Sequence, residues 1–388
     1  MSETTTAADP EDHRAGWFEL FFDLVFVVTV SVLARALHGD PDAADFGTFV
    51  VLFFPAWWAW ANLMVTVNVF GSARPGVQAM LLCAMPGLGL MAAAAPEGLG
   101  DRAWAYALGA AWVRLVFFVI WYDRARRGDD PVPLWRPLAY GLLPALLWAV
   151  SAALPGSGRF VLWGVAIALE VVLLAVRTGL TDEFYGRLST EHLVERISLF
   201  VVIVLGESVF TVVATLADHF TTASAGAALA GFVVVAELAM VFFAWGTTSA
   251  ARGLDRAQAG GSTRAIRDTV MYLPFVLVAG ITVIAAALGT AVAEPDHHLP
   301  SGSCWALCGG VLAFYTANAA IALRYGDGGR VVLRWYAPCL VLTLGVLLPA
   351  ALLLPAWAAV TCAAGVVFLL AKISRRRLRV RGLLGAAG

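Results

Sequence analysis

Apolar residues fall in runs about as long as the ~20 residues that cross a bilayer as helix, and short polar connections separate the runs. They lie at about 17–38, 46–69, 76–95, 103–122, 136–154, 159–178, 193–217, 224–249, 268–293, 302–324, 331–354 and 356–373. The pattern predicts an all-α polytopic membrane protein of about 12 transmembrane helices. Its first run, WFELFFDLVFVVTVSVLAR from Trp17 to Arg35, carries two carboxylates in an otherwise lipid-like helix. Glu19 and Asp23 are four residues apart. At 100° per residue they lie about 40° apart on one face, in a strip with Phe22, Phe26, Thr29 and Val30, while Arg35 points the other way. An ionised carboxylate in the apolar layer costs several kcal/mol, so such groups face a bundle interior or a wet cavity and mark function. The plainer alternative puts Glu19 near the interface and pairs Asp23 with a structural arginine.

Composition agrees with this class and leaves no room for a soluble one. Hydrophobic residues make up 60% of the 388 and charged residues 14%, against roughly 25% in a soluble domain; mean hydropathy is +0.80. The formal net charge of −1 says little about partners, because charge is segregated by connection. Odd-numbered connections carry Asp40, Asp42, Asp45, Asp218, Glu294 and Asp296. Even-numbered ones carry Arg74, Arg124, Arg126, Arg127, Arg136, Arg177, Arg187, Arg196, Arg252, Arg256, Arg264, Arg267, Arg324, Arg330 and Arg334. With Arg14 and the basic tail, all but four of the 26 basic residues share one side; the exceptions are Arg35, Arg102, Arg114 and Arg159. By the positive-inside rule that side is the cytoplasm, which places both termini there and requires an even number of spans. Residues 1–16, polar and acidic, show no cleavable signal and are expected to form a disordered cytoplasmic tail. Residues 374–388 close the chain as a basic tail whose SRRRLRVR run is read as an orientation signal touching anionic lipid headgroups, not as a nucleic-acid patch.

The chain also reads as duplicated, with residues 17–180 and 181–373 as two six-helix halves. The seventh span, ERISLFVVIVLGESVFTVVATLAD, buries Glu207, and FFAWG in the eighth echoes AWWAWAN in the second. Trp60 follows Asp23 by 37 residues and Trp245 follows Glu207 by 38. Six spans per half preserve orientation, so the repeats are expected to be parallel, with sites at their interface near the midplane.

FELFFDLVFVVTV, together with HLVERISLFVVIVLGES at the start of the second half, resembles the low temperature requirement protein A (LtrA) family of bacterial membrane proteins. The resemblance extends over nearly the whole chain. It singles out Glu19, Phe22 and Asp23 in the first motif and His192, Glu195, Arg196, Gly206 and Glu207 in the second, and it implies residence in the bacterial inner membrane. It brings no mechanism, since the family is named for a growth phenotype. More remotely, FFDLVF is similar to the F-S-D motif on the first helix of a potassium-channel family with six spans per repeat, with Phe22 where the Ser would stand.

Counting charge at depth defines the candidate site. Asp23, Glu170, Glu207 and Glu237 lie inside spans, whereas Arg114 is the one basic residue near a span centre and can pair directly with at most one of them. The others must be protonated, hydrated, hydrogen-bonded or neutralised by a bound cation. Asn62, Asn68, Thr29 and Thr211 are the candidate hydrogen-bonding partners. Arg196 lies about 16 Å along the helix from Glu207, too far to neutralise it; Gly206 beside Glu207 is expected to admit a neighbouring helix. His192, Glu195 and Arg196 are also compatible with an interfacial cluster at a helix start, capped by Thr190 with Glu191 complementing the dipole.

Other chemistry is sparse. Cys83, Cys304, Cys308, Cys339 and Cys362 read as small hydrophobes. His297, His298, Cys304 and Cys308 gather near the outer face, which His38 and His219 also reach, but their spacing matches no metal motif. No phosphate loop or nucleophile elbow appears, and no cofactor is expected. Trp57, Trp58 and Trp60 read as helix packing. The expected function is proton- or cation-linked transport or ion permeation through an acidic pocket between the first helices of the two halves, with membrane lipids and protons or a small cation as partners. A membrane enzyme acting on a lipid-soluble substrate and a non-catalytic assembly factor are the alternatives.

Overall fold

The computed structural model describes residues 16–128, 132–175 and 187–380, with the backbone alone at 244–249 and 374–380. Both expected tails thus lie largely outside the described residues, as does the side chain of Trp245. The described chain is helical, and eleven helices are long and apolar enough to cross a membrane. In chain order they are α1 (Trp17–Arg35), α2 (Ala43–Phe70), α3 (Pro75–Ala94), α4 (Ala103–Arg127), α6 (Gly158–Ala175), α7 (Thr190–Asp218), α8 (Thr222–Ala259), α9 (Thr263–Ala293), α10 (Ser301–Arg324), α11 (Gly329–Leu353) and α12 (Ala356–Val380). The twelfth expected span is α5, a helical run over 135–153 made less apolar by Arg136 and two prolines.

Helix ends follow local chemistry. The acidic residues after α1 are caps: Asp42 accepts from the amides of Ala44 (2.7 Å) and Asp45 (2.9 Å), and Asp45 accepts from the Asp42 amide in return, a reciprocal box that fixes the start of α2. Asp40 accepts from the Gly302 amide at 2.7 Å, so the connection after α1 also holds the first turn of α10. On the arginine-rich side, α4 and α8 run beyond the expected spans, to Arg127 and Ala259, where basic side chains suit the negative helix ends.

Three turns of π-helix interrupt the spans, at Leu138–Leu142, Asp268–Tyr272 and Thr343–Leu347. Each ends two residues before a proline, Pro144, Pro274 or Pro349. Proline offers no amide and its ring presses on the carbonyl four residues back, so the preceding turn widens. At the second of these turns the indole of Trp57 donates to the Met271 carbonyl at 2.7 Å.

Four packing pairs recur six helices apart, whereas the close α8–α12 contact has no comparable α2–α6 contact among the described residues. In the first half α1 packs on α3, α3 on α4, α4 on α5 and α5 on α6; in the second, α7 packs on α9, α9 on α10, α10 on α11 and α11 on α12. Glycines line close crossings in both. A Cβ on Gly87 would stand 3.0 Å from the Gly109 carbonyl, and one on Gly280 would stand 2.9 Å from the Gly310 carbonyl. These helices touch backbone to backbone, as small residues allow in membrane interfaces. Between the halves, α1 contacts α7 and α9, and α2 contacts α7.

Candidate functional site

The site grows from the first two turns of α1 and α7. Every third or fourth residue of α1 is buried, through Glu19, Phe22, Asp23, Phe26 and Val30, whereas Phe21, Leu24, Val28 and Arg35 face outward. This strip meets the matching strip of α7, His192, Arg196 and Phe200. Glu19 and Asp23 are the third and seventh residues of α1; His192 and Arg196 are the third and seventh of α7. The two i, i+4 pairs face each other as rungs. His192 Nε2 lies 3.2 Å from Glu19 Oε2, and Arg196 Nη2 donates to Asp23 Oδ1 at 2.7 Å. Arg196 Nε also lies 3.2 Å from Glu19 Oε2, so one guanidinium serves both carboxylates.

The next rung is aromatic. Phe26 and Phe200 lie 5.3 Å apart between ring centroids, and Trp60 lies 4.5 Å from Phe200 with the rings tilted by 38°. The Trp60 indole donates to Asp23 Oδ1 at 2.8 Å. Apolar rings therefore close the cluster toward the membrane centre, and its polar end points to the arginine-rich face. There Asn68 of α2 donates to the Ser189 carbonyl (2.9 Å), accepts from the Ser189 amide (3.1 Å), and sets Nδ2 at 3.0 Å from His192 Nδ1.

Glu19 and Asp23 are 0% exposed and Arg196 is 1% exposed. Two carboxylates against one guanidinium leave an excess negative charge, unless a proton or cation joins them. Glu19 Oε2 has the 3.2 Å contacts to His192 and Arg196, but Asp23 Oδ2 and Arg196 Nη1 have no hydrogen-bond partner. In a medium of low dielectric such atoms are costly to leave bare, which favours uptake of a proton, a water or a small cation. This is the chemistry the geometry offers.

Arg196 departs from the interfacial reading of its motif: it is sequestered in the interhelix contact and is not a connection residue. Ser189, not Thr190, caps α7, accepting from the His192 amide at 3.3 Å, while the Thr190 hydroxyl donates to Asp255 of α8. Nor do the expected amide and hydroxyl partners serve the acids. Asn62 pairs with Tyr140, Asn68 with His192, and Thr29 Oγ1 is buried without a partner. The site also lies nearer one face than the midplane.

Glu207 does not join Asp23. It is half-buried on α7, eleven residues beyond Arg196 and so about 16 Å farther along the axis. Gly206 is exposed and a Cβ there would meet nothing within 4 Å, so it admits no close helix. Glu195 and Glu237 are likewise half-buried, each outside the α1–α7 contact.

Arg114 finds its acid in Glu170. Nε and Nη2 each donate to a carboxylate oxygen at 2.9 Å, and the Ala110 carbonyl takes a bond from Nη1 at 3.2 Å. The guanidinium also sits 5.1 Å from the Trp148 ring centroid. A cavity of about 10 Å³ beside the pair, lined by Asn62 and Tyr140 among others, has room for a single water. At the outer face, His298 Nδ1 bonds to the Leu354 carbonyl (3.2 Å) and Cys304 Sγ to the Ala351 carbonyl (3.1 Å). Those imidazole and thiol groups are occupied by separate backbone partners.

Residues 14–372 match the family described as bacterial low temperature requirement A protein (LtrA). A relative from Rhizobium meliloti (strain 1021), "Uncharacterized protein RA0937", is 27% identical over 293 residues, covering 73% of this chain and 70% of its own length. The chain belongs to the LtrA family.

Proposed function

We propose that this LtrA-family membrane protein carries protons, alone or linked to a small cation, across the bacterial plasma membrane, with the Glu19–Asp23–Arg196–His192 cluster as the binding site. One observation carries the reading: two fully buried carboxylates share a single guanidinium. Burial opposes the residual negative charge and Arg196 opposes full protonation, so the cluster is poised to hold one exchangeable positive charge. Its place between the first helices of the two halves, in a plan of two parallel repeats with both termini cytoplasmic, suits alternating exposure by rocking of one half on the other. Lipids are the surrounding partners. The hint for the enzyme alternative is the outer histidines, of which His298 and His219 instead bond separately to the carbonyls of Leu354 and Thr215.

Proton flux into proteoliposomes under an imposed membrane potential tests the proposal. Asp23→Asn and Glu19→Gln keep the shape of each group and should each abolish flux or uncouple it from the cation, while the protein still inserts and elutes as a folded species. Glu207→Gln is the comparison, because Glu207 stands outside the cluster, and it should retain flux. Wild-type flux in the Asp23→Asn protein would end the claim that these carboxylates bind the transported charge.

A further inference from the structure

Asn68 fixes the protonation form of His192. The Asn68 amide is held at both ends by one residue: Oδ1 accepts from the Ser189 N–H (3.1 Å) and Nδ2 donates to the Ser189 carbonyl (2.9 Å). Reversing the amide would set donor on donor and acceptor on acceptor, so its orientation follows from the backbone. The second Nδ2 hydrogen then points at His192 Nδ1, 3.0 Å away. Nδ1 must accept. A neutral imidazole that accepts at Nδ1 carries its proton on Nε2, which lies 3.2 Å from Glu19 Oε2.

We propose that His192 rests as the neutral Nε2–H form donating to Glu19, and that its protonation opens a latch between α2 and α7 on the arginine-rich side of the charge site. An imidazolium carries a second N–H on Nδ1, which would face the Asn68 NH₂ donor to donor at 3.0 Å. Asn68 must swing away, and it then loses both bonds to Ser189, the cap of α7. The charged groups around His192 are Glu19 of α1 and Arg196 of its own helix; α2 offers the uncharged Asn68, and Asp255 of α8 is engaged by Thr190. Glu19 and Arg196 bring opposite charges to the ring, and the hydrogen bond from Asn68 fixes which nitrogen carries the proton. The latch rests on the proton-site reading for its purpose: a proton arriving at His192 would loosen the contact that closes the cluster on this side.

Nitrogen-15 NMR of histidine-labelled full-length protein, with the His192 side chain assigned through its backbone correlation to Leu193, reads the tautomer directly. The expected wild-type state at neutral pH is neutral with the proton on Nε2. Asn68→Asp places an acceptor opposite Nδ1 and should move the proton onto Nδ1, read in the same nitrogen-15 spectrum at neutral pH. An Nδ1–H tautomer or an imidazolium in the wild type at neutral pH would overturn the latch, and that measurement needs no variant to fold. An unchanged Nε2–H tautomer in folded Asn68→Asp protein would overturn it too. Either failure leaves the carboxylate site standing, because only the flux of Asp23→Asn and Glu19→Gln decides that.

Discussion

Removing Arg196 and removing one of its carboxylates should move stability in different ways, and the contrast measures the excess charge at the α1–α7 contact. Arg196→Leu deletes the one cation that faces both Glu19 and Asp23, each 0% exposed. Breaking a buried ion pair from one side costs about 3–5 kcal/mol, because the orphaned charge remains in low dielectric or must take up a proton. Asp23→Asn behaves otherwise. The amide oxygen still accepts from Trp60 Nε1 and Arg196 Nη2, now at 2.8 and 2.7 Å, and the charge of the cluster falls from net negative to neutral. Each bond weakens from the charged class, ~1.5–3 kcal/mol, toward the neutral ~0.5–1.5 kcal/mol, and relief of the unbalanced charge offsets that loss. The net change expected for Asp23→Asn is about 1 kcal/mol or less. Thermal or denaturant unfolding of the detergent-solubilised protein, followed by tryptophan fluorescence, gives both values. The double variant Arg196→Leu with Asp23→Asn should recover part of the Arg196→Leu loss. Equal losses for the two single variants, or an Arg196→Leu protein as stable as the wild type, would refute the charge accounting.

Three further outcomes follow from the packing. Arg114→Leu should destabilise by about 3–5 kcal/mol through the stranded Glu170, and Arg114→Leu with Glu170→Leu should be nearly neutral because the bidentate pair is closed and balanced; unfolding midpoints of the two variants and the wild type check this. Gly280→Leu should cost ~1–3 kcal/mol or prevent folding, since its Cβ alone would lie 2.9 Å from the Gly310 carbonyl, whereas Gly164→Ala on α6, where a Cβ meets nothing within 4 Å, should be neutral or stabilising. Reporter fusions after Arg127 and Arg264 should read as cytoplasmic and a fusion near Asp42 as external; a reversed result at Arg264 would break the parallel arrangement of the halves.

Much of α1 was legible because a 3.6-residue period projects Glu19, Phe22, Asp23 and Phe26 onto one face whatever lies opposite. What lay opposite was not legible. Asp23 and Arg196 are 173 residues apart, and no local pattern says which of several membrane helices supplies the partner of a buried acid. The 37-residue interval from Asp23 to Trp60 reads in the sequence as a sign of duplication; in the folded chain it is a hydrogen bond. Alignment of the halves acid to acid sets Glu207 against Asp23. Counting instead from each helix start sets Glu19 against His192 and Asp23 against Arg196, acid against base in the same register. The paired i, i+4 spacings of EXXXD and HXXXR were the available signal. The π turns share a residue pair and proline, LLP, YLP and LLP at Pro144, Pro274 and Pro349, but the same LLP at Pro355 ends a helix instead.

The two buried arginines also differ in a way that bears on function. Arg114 and Glu170 both belong to the first half, on α4 and α6, and their charges cancel in a two-point fork. Moving one half against the other leaves that pair intact. Arg196 reaches from the second half to two acids of the first, so the same movement would stretch the Asp23 and Glu19 contacts together and expose carboxylates whose charge is not cancelled. A balanced pair inside one body fixes packing, while an unbalanced one across two bodies changes its affinity for a proton as they separate. On the transport reading this difference selects the α1–α7 contact as the place where binding and movement are coupled: a proton neutralises the spare carboxylate, lowers the cost of parting from Arg196, and shifts the population toward the parted state. Asp23→Asn, which mimics that neutral carboxyl, should then populate the parted state without a proton, and single-cysteine accessibility at the α1–α7 seam should rise in that variant and not in Glu207→Gln.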